Sequence, residues 1–189
     1  NLTSEQVTLL KKEFKSFARN GALLSEDEKL ILRDIDTEKA KLSLRFGENV
    51  LSDTNEYFLH IADENQLKGL PDQVKEMGAE IAKSKNKTGW IFTLDYPSYI
   101  PFMTYLDDRE LRRKMSLAFG QRGFRENDHN NSKIILKIIE LRKKRAELLG
   151  YESHANFILS ERMASSEKNV NNFLEDLYQK ALPAAKKEW

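Results

Sequence analysis

The segment Ile134–Ala164 limits the possible folds more than any other part of the chain. Ile134, Ile138, Leu141 and Leu148 recur at helical spacing and form one ridge, and Ile135, Ile139, Ala146 and Leu149 form the next. Lys133, Lys137, Glu140, Lys144 and Glu147 fall on the opposite face, with Glu140 and Lys144 in the favourable i,i+4 order. Gly150 supplies a C-terminal stop. Ser153 then caps a second, shorter helix expected to run to about Met163. A helix with two apolar ridges needs neighbours on both, so this helix–break–helix unit reads as the centre of a helical core.

The flanking sequence supplies further helices. Thr3 and Gln6 form a capping box ahead of Val7, Leu10, Phe14 and Phe17, and Asn20-Gly21 ends that helix. Ser25 and Glu28 repeat the signal for a helix reaching about Ser52. Its stripe is Leu32, Ile35, Leu42, Phe46 and Val50, widened by Ile31 and Leu51, with Lys29, Arg33, Asp36 and Lys39 towards water. The short connection predicts an antiparallel helical hairpin. Asp107 and Glu110 open another helix, with Leu111, Met115, Ala118 and Phe119 inward and Gly120 and Gly123 at its end. The polar run Arg125–Asn131 reads as an exposed turn. Ser165 or Ser166 caps the last helix, with Val170, Phe173, Leu174, Leu177 and Ala181 expected inward. Pro183 is expected to kink or end it.

The middle differs. Residues 56–62 (EYFLHIA) and 90–94 (WIFTL) are β-prone, and a helix opened by Pro71 and carrying Val74, Met77 and Ile81 lies between them. Whether these strands pair with each other stays open at the level of sequence. Pro97 and Pro101 frame a short turn or helix. The expected fold class is mainly α: antiparallel helices with a small insertion of two short strands, at about 56–62 and 90–94. Residues 1–189 form one helical domain or a fragment of a larger two-lobed protein. The helical pattern still running at Trp189, and the start at Asn1 without Met, point to the fragment.

Composition narrows the function classes. Lysine and arginine number 31 against 30 acidic residues, so no net field draws the chain to nucleic acid or an anionic membrane. No apolar run approaches the roughly 18 residues of a membrane span. Cysteine is absent, which removes disulfide and thiolate chemistry. Asn1, Asn86 and Asn130 begin Asn-x-Ser/Thr triplets, which carry little weight in so asparagine-rich a chain.

Residues able to carry chemistry each have a plainer structural reading. His60, His129 and His154 have no second histidine at helical spacing, so no local zinc site is encoded and none of the three is assigned as catalytic or metal-binding. The pairs Glu26/Asp27, Asp34/Asp36 and Asp107/Asp108 fall in helix first turns or on polar faces. The triplets Arg112–Lys114 and Lys143–Arg145 are interleaved with Glu110, Glu140 and Glu147, which fits a solvated face or a salt-bridge set better than phosphate contact. Trp90, Phe92, Tyr96, Tyr99, Phe102 and Tyr105 read as a small core under the Pro97–Pro101 turn or, alternatively, as a peptide-binding wall. Substrate-binding residues are not assigned.

Longer stretches of wording carry a resemblance. AELLGYESHANFILSERMASSEKNVNNFLEDL (146–177), FARNGALLSEDEK (17–29), LSLRFGENVL (42–51) and WIFTLDYPSYIPFM (90–103) followed by RELRRKM resemble, in order, the M3 family of zinc oligopeptidases. FARNGALL and the KLSL of 41–44 lean towards its peptidyl-dipeptidase branch over its oligopeptidase branch. The resemblance implies a cytoplasmic, mostly helical metallopeptidase that hydrolyses short peptides in a narrow channel. It also implies Zn2+ held by a His-Glu-x-x-His helix and a further glutamate. No position of this sequence matches those residues, so the resemblance implies an inactive, zinc-free scaffold and channel-wall portion whose partner is a catalytic region C-terminal to residue 189. A stand-alone helical protein-interaction module is the alternative.

Overall fold

The computed structural model describes residues 2–189; Asn1, which begins the first Asn-x-Ser/Thr triplet, lies outside the described residues. The architecture is mainly α: eight α-helices and one two-stranded sheet among those residues. The chain divides into two compact units, Asn1–Lys41 with Lys137–Trp189, and Leu42–Leu136. None of the described helices is long and apolar enough to cross a membrane.

The first unit holds α1 (Ser4–Arg19), the start of α2 (Glu26–Glu56), most of α6 (Ser132–Leu148), α7 (His154–Leu159) and α8 (Glu167–Glu188). Both N-terminal capping boxes form. Gln6 N–H donates to Thr3 Oγ1 at 3.3 Å while Thr3 N–H donates to Gln6 Oε1 at 2.9 Å. Ser25 and Glu28 repeat the exchange at 2.9 and 3.3 Å. Between these helices Gly21 adopts φ +90°, and a Cβ there would collide with Leu32. Leu32, Ile35, Leu141 and Ala146 are the buried apolar side chains of this unit.

Several expectations for this unit need correction. Leu10, Phe14 and Phe17 are exposed, and α1 buries no residue. Ile135 and Ile139 of the second α6 ridge are also exposed whereas its Ala146 is buried, so that ridge is covered only towards its C-terminal end. The inward face expected for α8 is open: Phe173, Leu174 and Leu177 are all more than half exposed. Amphipathic spacing states which face can be covered, and among the described residues nothing covers these. α8 also runs past Pro183 to Glu188. A proline there removes the donor to the carbonyl of the exposed Gln179, which water can satisfy. α7 stops at Leu159 rather than Met163. Ser160 Oγ turns back to the Phe157 carbonyl at 2.9 Å, a local bond that competes with helix extension.

The second unit contains β1 (Phe58–Ile61), a 3₁₀ turn (Glu64–Leu67), α3 (Asp72–Ser84), β2 (Trp90–Thr93), α4 (Tyr96–Tyr105) and α5 (Arg109–Gly120), together with the end of α2 and the start of α6. The strands pair with each other, antiparallel, with Phe58 opposite Thr93 and Ile61 opposite Trp90. The Pro97–Pro101 segment is a helix, with Pro97 in its first turn where a missing N–H is harmless. α3 approaches β2 through Gly78, where an added Cβ would stand 3.1 Å from the Phe92 ring. Phe92, Phe102, Leu94, Leu106 and Met115 form the centre of a buried cluster that also takes in Leu111 and Ala118 from α5. Phe92 and Phe102 meet with ring centroids 4.7 Å apart.

Candidate functional site

The three histidines are dispersed. His60 lies exposed on β1 with Nε2 2.6 Å from the Thr88 carbonyl. His129 Nε2 stands 2.9 Å from Glu56 Oε1. His154, half-buried, stacks on Phe157 at 6.2 Å. Burial pushes the His154 imidazole below its ordinary pKa, and Arg142, Lys39 and Arg145 push in the same direction. Among the described residues no three His, Asp or Glu side chains group so as to hold a metal ion. A zinc centre does not fit the donors present.

One member of each carboxylate pair serves as a cap or an ion-pair partner. Asp108, rather than Asp107, caps α5, accepting from the N–H groups of Glu110 and Leu111 at 2.9 and 3.0 Å. Glu26 lies in the first turn of α2 beside Lys29, whose hydrogen bond and charge lower its pKa. Asp36 does not simply face water. Partial burial pushes its carboxyl up, but hydrogen bonds and charge from Lys39 and Arg145 outweigh that and hold it below the ordinary value.

The basic triplets divide in the same way. Lys143 and Lys144 are solvated and pair with Glu147 and Glu140 at 3.7 and 2.6 Å. Arg145, 9% exposed, turns inward to Asp36 at 2.9 Å. It belongs to a clasp around Phe157. Arg145 lies 5.1 Å from that ring's centroid and Arg19 lies 4.3 Å from it. Arg19 also donates to the Phe157 carbonyl at 2.8 Å, to Tyr151 Oη at 3.2 Å and to Ser160 Oγ. One guanidinium at the end of α1 thus engages residues 151–160. Of the second triplet, Arg112 donates to the carbonyls of Leu106 and Asp107, and Arg113 and Lys114 face solvent.

The aromatic group is core only in part. Phe92 and Phe102 are core, and Tyr99 stacks on Phe119 at 4.2 Å with Arg122 on that ring at 3.6 Å. Tyr96 and Tyr105 remain exposed.

Sequence reasoning missed the densest polar cluster. Residues 125–131 are not a free turn, because Asn131 is 1% exposed. Its amide accepts from Asn49 Nδ2 at 2.8 Å and donates to the Phe46 carbonyl at 3.2 Å. Asp53, also 1% exposed, accepts from Gly123 N–H at 2.6 Å and from Asn127 Nδ2 at 2.7 Å. Arg122 reaches Thr54 Oγ1 at 3.3 Å. Asn49 and Asp53 continue the spacing of the α2 stripe, and that polar continuation of an apolar face is the signal that could have exposed them. These bonds fix the 121–131 segment to α2 with every buried side-chain donor and acceptor among the described residues satisfied.

Comparison with known proteins gives these arrangements their context. Residues 102–189 match the model of peptidase family M3. The chain is 32% identical over 187 residues to oligopeptidase A of Haemophilus influenzae, covering 97% of this chain and 28% of that protein. It is 34% identical over 184 residues to the Arabidopsis thaliana protein named "Probable cytosolic oligopeptidase A", covering 94% and 26%. It is 27% identical over 186 residues to dipeptidyl carboxypeptidase of Escherichia coli, covering 98% and 27%. The chain therefore spans little more than a quarter of the length of the curated relatives it matches. The chain is thus similar to peptidase family M3 over residues 102–189 and to named peptidases along nearly its entire length.

Proposed function

We propose that this chain is a scaffold and channel-wall portion of an M3 metallopeptidase that hydrolyses short peptides. The observation that carries the reading is the alignment of nearly all of this chain to peptidases about four times its length, in a sequence holding no His-Glu-x-x-His. On this reading the chain has no catalytic residue of its own. Zn2+, which would polarise the scissile carbonyl and activate water, belongs to a catalytic region outside residues 1–189. Exposed Phe14, Phe173, Leu174 and Leu177 support that region as the partner, because apolar faces left open in one portion of a protein suit burial by another.

Identity favours the oligopeptidase A kind over the dipeptidyl carboxypeptidase kind, 32% against 27%, and so runs against the lean of the KLSL wording. A cytoplasmic location accords with the name of the Arabidopsis relative.

The test is to read the parent gene downstream of the codon for Trp189 and to assay two proteins on a quenched fluorescent peptide. The chain alone is expected to be inactive, and the chain continued through the downstream region is expected to cleave the peptide and to lose activity on zinc chelation. A parent gene without His-Glu-x-x-His would sink the proposal and favour a stand-alone interaction module.

A further inference from the structure

A cavity of about 380 Å³ opens on the first unit between the α6 face carrying Ile139, Arg142 and Lys143 and the turn Glu152–Ala155. One water occupies roughly 30 Å³ of liquid, so the space suits a small organic molecule better than a bare ion. Its walls are of two kinds. Ile139 and Ala155 are apolar, whereas Arg142, Lys143 and the His154 imidazole present donors and positive charge.

The cations exceed the carboxylates free to meet them. Arg142 makes no hydrogen bond or ion pair with any described residue. Asp36 is held by Lys39 and Arg145, Glu147 faces Lys143 at 3.7 Å, and Glu167 accepts from Ser153 Oγ at 2.9 Å. Glu152 is the one carboxylate among the described residues lining the cavity, and it is exposed. The depression of the His154 pKa by burial, Arg142, Lys39 and Arg145 accords with a positive potential in the cavity.

We propose that this cavity binds a small organic carboxylate, with Arg142 and Lys143 taking the carboxylate and Ile139 and Ala155 packing on its apolar group. A planar guanidinium offers paired donors matched to a carboxylate. The inference stands apart from the peptidase reading, since neither zinc nor a catalytic residue enters it.

The experiment follows the His154 imidazole C2–H signal by NMR in the full chain. With three histidines in the sequence, His154→Gln assigns the signal. N-acetyl-leucine, acetate and inorganic phosphate are titrated separately at constant ionic strength. N-acetyl-leucine is expected to give a saturable shift and to raise the imidazole pKa, with acetate binding more weakly. Arg142→Ala, at an exposed position, is expected to weaken binding about tenfold, the equivalent of one charge-assisted contact. Glu152→Gln is expected to strengthen it, because it removes the opposing charge. A non-saturable shift, phosphate binding as tightly as N-acetyl-leucine, or an Arg142→Ala chain that binds unchanged would each overturn the proposal.

Discussion

The backbone N–H of Gly123 donates to the buried carboxylate of Asp53 at 2.6 Å, across 70 residues of sequence. The same carboxylate accepts from Asn127, so one side chain of α2 satisfies two donors of the loop between α5 and α6. Asp53→Ala leaves the buried Gly123 N–H unpaired, at about 1–3 kcal/mol, and removes the bond from the exposed Asn127, whose amide water can satisfy. We expect a loss of about 3 kcal/mol, seen as a lower urea midpoint at unchanged slope. Asp53→Asn keeps the shape and one acceptor, and should lose less than half of that. An Asp53→Ala chain as stable as the parent would show that water replaces the carboxylate.

Gly123 and Gly47 make opposed predictions for the same substitution. Gly123 has φ +70°, and a Cβ there would stand 2.7 Å from Asn131 Nδ2 and 3.1 Å from Val50 Cγ2. Gly123→Ala should cost about 1–3 kcal/mol from backbone strain and crowding. Gly47 lies inside α2 with open space around it, so Gly47→Ala should stabilise by about 0.5–1 kcal/mol. Thermal unfolding of the two variants checks the contrast.

Asp36 gives stability a defined pH dependence. Its carboxyl is held below the ordinary value in the folded chain, so its contribution is complete above the unfolded pKa of about 3.9 and is lost as pH falls through the folded value. Asp36→Asn should flatten the acid limb of a plot of urea midpoint against pH, leaving the neutral limb parallel to that of the parent. Arg145→Met should flatten it only in part, because Lys39 remains at 2.6 Å. Parallel acid limbs for parent and Asp36→Asn would exclude Asp36 as the source.

Arg19 is the principal polar tie between α1 and residues 151–160. Arg19→Ala removes its bonds to Tyr151, Phe157 and Ser160 and its stacking on Phe157, for about 2 kcal/mol. Because α1 buries nothing, the expected signature is faster hydrogen exchange concentrated in Ser4–Arg19. Arg19→Lys should not restore protection, since a point charge cannot reproduce the fork.

The open face of α8 should govern solubility rather than folding. Replacing Phe173 and Leu177 together by lysine is expected to reduce dye binding and self-association while moving stability by no more than about 0.5 kcal/mol per site. Large destabilisation would mean that the face is covered after all.

Local signals were legible and distant ones were not, for a physical reason. The caps at Thr3, Ser25, Ser153 and Ser166 each bond an N–H three residues on, so the pattern and the contact lie in the same short window. The strand segments were equally plain from β-branched and aromatic residues, but their pairing depends on a register set across residues 62–89. Asn49, Asp53 and Asn131 belong to residue types that default to solvent, and only tertiary contact overrides that default. In α8 the spacing of Phe173, Leu174 and Leu177 marked a face without stating what lies on it. At Arg145 the neighbouring lysines suggested a uniform surface, yet a single rotation step of 100° carries the third residue of the triplet inward.

The register of the sheet also bears on how fast this part of the chain can organise. Joining Ile61 to Trp90 closes a loop that contains a 3₁₀ turn and the whole of α3. Closing it as flexible chain would cost entropy before any ladder bond formed. Helix formation is a sub-microsecond event, far faster than long-range pairing. If α3 winds first, the ends of that loop are brought together by a short rod and a few turn residues, and Gly78 lets the rod settle directly on Phe92. The order of events in the second unit is then helix before ladder, and its refolding rate should follow the helix propensity of Asp72–Ser84 more closely than that of either strand.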